Sequence, residues 1–126
     1  MNMFSDALSL ASSGLKAQST RLRHVSENIS NVDTPGYRRK IVEFRPGDDA
    51  GRVDASRMSL DKSELKKIYD PSHPLADAEG NYDGSNVDLM IEVADAREAQ
   101  RSYEANLKMF DQTRQMSSSL MELLRR

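Results

Sequence analysis

The chain has 126 residues with no cysteine, 37% hydrophobic and 30% charged side chains, and a formal net charge of −2. Without cysteine there is no disulfide scaffold, no thiolate nucleophile and no cysteine-ligated zinc or iron–sulfur site. The near balance of 18 basic and 20 acidic residues gives no field to gather nucleic acid or an anionic membrane, and the length suits one ordinary domain rather than two independent cores.

From Met1 to about Val32, apolar residues recur as Met1, Phe4, Leu8, Ala11, Leu15, Leu22, Val25, Ile29 and Val32, with Gln18 as the one polar member of the row. Steps alternating three and four predict a helix that buries a narrow stripe against another helix, as in a coiled coil. Off the stripe lie Ser5, Asp6, Ser9, Ser12, Lys16, Ser19, Thr20, Arg23, Ser26 and Glu27. That face is rich in poor helix formers, and Gly14 costs about 1 kcal/mol relative to alanine, so the helix is expected to need a partner. Met1 to Ala17 has no basic start followed by an apolar run, which is unlike a cleavable signal peptide. No stretch approaches the roughly 20 apolar residues of a membrane-spanning helix. Export, if it occurs, is expected to read some other signal.

The middle, 33–86, holds all four prolines, five of the six glycines and 11 of the 20 acids. Arg39 to Phe44, Arg52 to Met58 and Glu64 to Tyr69 read as short strands separated by the turn-prone stretches Gly47–Gly51 and Ser59–Ser63. A small hairpin-based β element is expected, followed by an irregular loop from Asp70 to Asn86.

Residues 87–126 carry a second row, Leu89, Val93, Ala96, Tyr103, Leu107, Phe110, Met121 and Leu124, with Gln100, Arg114 and Ser117 as polar members. A flanking row of Ala99, Asn106, Thr113 and Leu120 widens it. Asn86 or Asp88 is placed to cap the start, and Arg125 and Arg126 close the end in keeping with the helix dipole. A helix over 87–124 is roughly 57 Å long, whereas a compact domain of this length is roughly 35–40 Å across. Either the helix breaks near Arg114 and Ser117 or the molecule is elongated; two long stripes that pair and still offer sides to neighbours favour the second. The fold class expected is mainly α: one discontinuous helical unit, 1–32 plus 87–126, around a turn and small β insert at 33–86.

The turn after the first helix reads Asn28-Ile29-Ser30-Asn31-Val32-Asp33-Thr34-Pro35-Gly36-Tyr37-Arg38-Arg39. Pro35, preset near φ −65°, followed by Gly36, free to take positive φ, predicts a type II turn, with Asn31 or Asp33 able to cap the helix end and Tyr37 anchoring the turn on the helices. The pattern of Asn28, Asn31, Thr34, Pro35, Gly36 and Tyr37 resembles the N-terminal signature of the axial proteins of the bacterial flagellum, the rod and hook family. The segment His73-Pro74-Leu75-Ala76-Asp77-Ala78-Glu79-Gly80 and the run from Ala99 through Arg101 and Tyr103 to Asn106 are similar to stretches of basal-body rod proteins within that family. One departure is Asn81, which intervenes before Tyr82.

The resemblance implies a structural subunit of the proximal rod, which joins the membrane ring to the distal rod and hook. It implies travel through the flagellum's type III export apparatus without a cleaved signal, and assembly beyond the inner membrane. The implied partners are other copies, other proximal and distal rod subunits and the membrane-ring adaptor. The terminal helices would form an inner coiled-coil layer of a helical tube, with the middle segment outside it.

Other readings are weaker. Arg38-Arg39-Lys40 beside Glu43 reads as a solvated strand entrance rather than a nucleic-acid patch. Asp77, Glu79, Asn81, Asp83 and Asp88 have calcium-like spacing, but Tyr82 and Asp88 stand where an EF-hand needs glycine and glutamate. His24 reads as a helix-surface residue and His73 lies in the loop, with no nucleophile elbow, phosphate loop or metal motif beside them. No catalytic, cofactor-binding or metal residue is expected. Polar seam residues Gln18, Gln100, Asn106 and Arg114 are either tolerated at wet edges or set register. The competing functional reading is a soluble helical adaptor that binds one partner through its stripes and stops at a closed stoichiometry.

Overall fold

The computed structural model describes residues 3–47 and 52–125. Two long helices and two small hairpins follow in the order α1 (Met3–Ser30), β1 (Lys40–Pro46), β2 (Val53–Leu60), β3 (Lys67–Tyr69), β4 (Asn81–Asp83) and α2 (Leu89–Leu124). The fold is mainly α, as the two periodic rows require. Met1 of the first row and most of the Gly47–Gly51 turn lie outside the described residues.

α2 runs unbroken for 36 residues, about 54 Å, so the break considered near Arg114 does not occur and the elongated alternative holds. Asp88 is its N-cap, with Oδ1 accepting the Met90 N–H at 3.0 Å. α1 and α2 pack against each other in opposite directions, with Asn28 against Glu92 near one end and Gly14 under Asn106 further along. The seam is lined by small side chains: Ala11, Ala17 and Val25 of α1 and Ala99 of α2 are buried. Gly14 has a specific place in it. A Cβ there would stand 2.7 Å from Asn106 Nδ2, so the residue that weakens α1 by propensity also permits its close approach to α2.

β1 and β2 form an antiparallel hairpin with Val42 opposite Met58 and Lys40 opposite Leu60, and with a register shift between Glu43 and Arg45. Ser59 and Leu60, expected in a turn, belong to β2. The bond from Asp61 N to Arg39 O, 2.9 Å, carries the ladder to the root of the hairpin and accounts for the extension. The hairpin rests on α1 and not on α2, so α1 is the middle layer. This arrangement corrects the placing of His24 on the helix surface: its side chain is 13% exposed, beside Glu27 and beneath β1.

β3 is shorter than the expected Glu64–Tyr69 strand, and β4 lies within the segment expected to be irregular. Side-chain chemistry makes that segment a built knot. Asp77 accepts the N–H groups of Glu79 at 2.9 Å and Asn81 at 3.0 Å. Gly80 turns at φ +87°, where a Cβ would stand 2.9 Å from Tyr69 and Pro71 atoms. The chain is thereby sent back to pair Tyr82 with Ile68. Strand propensity is weak in Asn81-Tyr82-Asp83, which is why periodicity does not reveal β4.

Candidate functional site

The Asn28 to Tyr37 motif closes α1 and seats it on α2. Thr34 O accepts the Tyr37 N–H at 3.2 Å, and Gly36 takes φ +75°, the geometry of a type II turn. Asn31 Nδ2 donates to Glu27 O at 2.8 Å and Thr34 Oγ1 donates to Asn31 Oδ1 at 3.1 Å, so the helix end is capped by the motif's own side chains. Gly36 N–H then reaches Asp83 O and Gly84 O, joining the turn to the β3–β4 knot. Pro35 is exposed and only presets the turn.

Asn28 is fully buried and uses its whole amide. Its Oδ1 accepts the Lys40 N–H at 2.8 Å and the Tyr37 hydroxyl at 2.9 Å, while Nδ2 donates to Lys40 O at 3.0 Å and Glu92 Oε2 at 3.2 Å. Glu92, also fully buried, accepts from Arg39 Nε at 2.6 Å on its other oxygen. Arg39 continues to Asp61 at 3.5 Å, and its backbone N–H donates to Asn86 Oδ1 at 2.6 Å. One hub therefore ties α1, the motif turn, the root of the hairpin and the first turn of α2.

The electrostatics of the hub follow from these contacts. Burial is the largest single influence on Arg39 and opposes its charge, but the hydrogen bonds and charges of Glu92 and Asp61 together outweigh it and hold the guanidinium above its usual pKa. The backbone N–H of Ser63, with Arg39 behind it, holds Asp61 below the usual carboxylate range. Lys40 pairs with Glu27, lowering the carboxyl and raising the ammonium. Burial pushes the Tyr37 phenol up. Arg38 donates to Asp61 O and to Ser63 O at 3.0 Å. The basic triplet, expected to be solvated, is thus engaged inside the fold.

The second family segment is held by internal contacts. His73 stacks on Tyr82 with centroids 3.9 Å apart, and its Nδ1 accepts the Leu75 N–H at 3.1 Å. Asp77 and Gly80 make the turn described above, and Pro74 is exposed. Among the described residues no group of three or more His, Asp or Glu side chains is placed to hold a metal ion, and no helix is long and apolar enough to cross a membrane.

The two long rows are divided by the pairing. On α1, Ala11 and Val25 are buried and Phe4, Leu8, Leu15, Leu22 and Ile29 half-buried. On α2, the row facing α1 runs through Glu92, Ala99, Asn106 and Thr113, flanked by Ala96, Tyr103 and Phe110, which are half-buried. Leu89, Val93, Leu107, Met121 and Leu124 remain exposed. At 100° per residue, Leu89, Val93, Leu107 and Met121 line one flank of α2, while Ile91, Met109, Met116, Leu120 and Leu123 line the other, also exposed. Arg97, Arg101, Glu104 and Lys108 occupy the back of the helix, whereas Asp111 and Arg114 fall on the first flank and Glu98 on the second.

Sequence reasoning finds the first flank and misses the second, as it misses Glu92, Arg39 and Asn86 as a set. The total accessible surface is 9101 Å², whereas a compact monomer of 14.2 kDa exposes about 6,800 Å².

Comparison with known proteins agrees with this architecture. Residues 8–38, spanning α1 and the motif turn, match the family described as Flagella basal body rod protein. Residues 78–123 match the one described as Flagellar basal body rod FlgEFG protein C-terminal. The chain is 45% identical to the flagellar basal-body rod protein FlgC of Agrobacterium fabrum, over 99% of this chain and 98% of that one. It is 33% identical to FlgC of Salmonella typhimurium over 90% and 92% of the two chains, and 31% identical to FlgC of Bacillus subtilis over 93% and 95%. With the terminal helices, the motif turn and near full-length likeness in agreement, this chain belongs to the FlgC family of flagellar basal-body rod proteins, structural subunits of the flagellar basal body.

Proposed function

We propose that the chain is a polymerising subunit of the proximal rod, and that it performs no catalysis. Copies and sibling rod subunits pack side by side through α2, so that torque passes along many shallow helix contacts. The observation that supports this reading is α2 itself: one face is covered by α1, and apolar side chains line both remaining flanks. In this reading the first flank of one copy meets the second flank of the next, a heterologous contact that extends into an open helical assembly when its rotation does not close. A surplus of about 2,300 Å² over a compact monomer is on the scale of obligate interfaces.

In this reading 1–32 and 87–126 form one helical layer, and the 33–86 insert lies outside it on α1. The exposed members of the predicted rows, Leu89, Val93, Leu107, Met121 and Leu124, are assembly contacts. The subunit reaches the periplasmic space through the type III export apparatus. There it meets other copies, other rod proteins and the membrane-ring adaptor.

The test places Leu107→Glu on one flank and Met109→Glu on the other, each in cells lacking the native gene. Each is expected to leave the helical circular-dichroism melt of the purified chain unchanged and to abolish swimming and rod assembly. Full motility in both variants, or a wild-type chain that forms only a closed complex with a single partner, overturns the proposal in favour of an adaptor.

A further inference from the structure

A helix seam built from alanine and glycine packs nearly as well after a slide of one heptad, because small side chains carry little shape to mark their level. The α1–α2 seam has this character at Ala11, Gly14, Ala17 and Ala99. One close packing contact and two polar contacts interrupt it. Gly14 lies under Asn106, Arg21 pairs with Asp95 and, at 3.4 Å, with Glu98, and Asn28 bonds to Glu92 at 3.2 Å. On α1 the three residues stand one heptad apart. On α2, Asn106 and Glu92 are two heptads apart, with buried Ala99 midway between them and next to Glu98, one of the acids that hold Arg21.

We propose that Asn28, Glu92 and Arg39, with Arg21 and Asn106, are register pins that fix the stagger of α2 on α1 and thereby decide which side chains of α2 are left on the open flanks. A slide of one heptad in one direction sets Ala99 against Asn28 and carries Glu92 beyond the end of α1. A slide in the other direction sets Glu92 against Arg21, away from Asn28 and Arg39. Either slide strips a fully buried carboxylate of the two partners it has here, whereas the apolar part of the seam is nearly indifferent. Buried polar contacts have this use in coiled coils, where they give register rather than stability. The proposal rests on the assembly reading only in its consequence: the pins matter for a rod because the stagger sets the surface that neighbours meet.

The absence of native cysteine makes disulfide reporters clean. Counting from the two end contacts, Ala17 stands level with Tyr103, and Ala96 and Phe110 stand one heptad to either side. Three reporters combine Ala17→Cys with Tyr103→Cys, Ala96→Cys or Phe110→Cys, oxidised in dilute monomeric chain. In the native background the pair at 17 and 103 is expected to close at least about tenfold faster than the other two, given the narrow geometry a disulfide accepts. With Asn28→Leu, Glu92→Leu and Arg39→Met together, at least one slipped pair is expected to rise to within about threefold of the native pair.

Arg39→Lys, which keeps a cationic donor for Glu92 and leaves the Asn28 bond in place, is expected to retain the native selectivity. If the triple variant loses its helical signal, Glu92→Leu with Arg39→Met, which leaves Asn28 bonded to Lys40 and Tyr37, is read in the same way. Unchanged selectivity in the apolar background overturns the proposal. Lost selectivity in Arg39→Lys does so as well. The flank variants separate the two readings: native selectivity with both of those variants swimming overturns assembly alone, and unchanged selectivity in the apolar background with both non-motile overturns the pins alone.

Discussion

Glu92 is the largest fully buried side chain among the described residues, and it is a carboxylate. Its charge is matched by Arg39 alone, since Asn28 brings only an amide. Arg39→Met therefore leaves an enclosed, uncompensated charge and is expected to lower stability by about 3 kcal/mol or more, read as a shift in the urea midpoint. Adding Glu92→Leu to that variant is expected to recover most of the loss.

The titration of the surrounding groups has a definite sign. Asp77, held low by the Asn81 backbone N–H, Asp61, by that of Ser63, and Glu27, by Lys40, all release their protons more readily in the folded chain. The stability they contribute is complete above the ordinary carboxylate pKa of about 4 and is lost as pH falls through their lowered values. Lys40, Lys67 and Tyr37 are raised, so their contribution fades only above about pH 10. The urea midpoint is expected to fall steeply below about pH 4, and Asp77→Asn to make that acid limb shallower.

None of the hub is legible by periodicity. Asn28 is visible as a letter of the motif, but its partners lie 64 residues away at Glu92 and 12 at Lys40. Glu92 reads in sequence as an ordinary first-turn acid that complements the helix dipole.

At the level of elements, Gly14 sets two effects against each other. Alanine there gains about 1 kcal/mol of helix propensity but places a Cβ 2.7 Å from the Asn106 amide. Gly14→Ala is expected to destabilise the native chain and to stabilise an Asn106→Ala background, a sign reversal that a thermal double-mutant cycle detects. Both helices were legible because their apolar rows persist over many turns, and the type II turn because Pro35 and Gly36 each have one conformational preference to express. β1 followed from Ile41, Val42 and Phe44. β4 did not, because Asp77 and Gly80 create it by turning the chain back, and no alternation of side chains announces it. The stripe of α2 was legible as a row, but which side of that row meets α1 depends on Gly14 and Asn106, a close contact that hydrophobicity does not encode.

For the molecule as a whole, the helices build length in place of depth. The buried apolar residues are Ala11, Ala17, Val25, Val87 and Ala99 among those described, a set with no large side chain. A helix pair about 54 Å long is expected to show a radius of gyration above about 17 Å in small-angle scattering of the dilute chain, against about 14 Å for a compact domain of this size. A value near 14 Å would mean that the helices fold back on themselves in solution.

The opposed directions of α1 and α2 also bring the two ends of the polypeptide together. Phe4 lies beside Met116, Leu120 and Leu123 in one cleft, so both termini leave the molecule at the same corner. Fusion tags on either end would crowd one shared doorway, and the two kinds of fusion should fail or succeed alike. A short peptide bridging that corner would close the backbone into a loop, and the connection between Pro46 and Val53 offers a place to reopen it. Such a circular permutant would carry its free ends on the far side of α1, leaving α2 unencumbered.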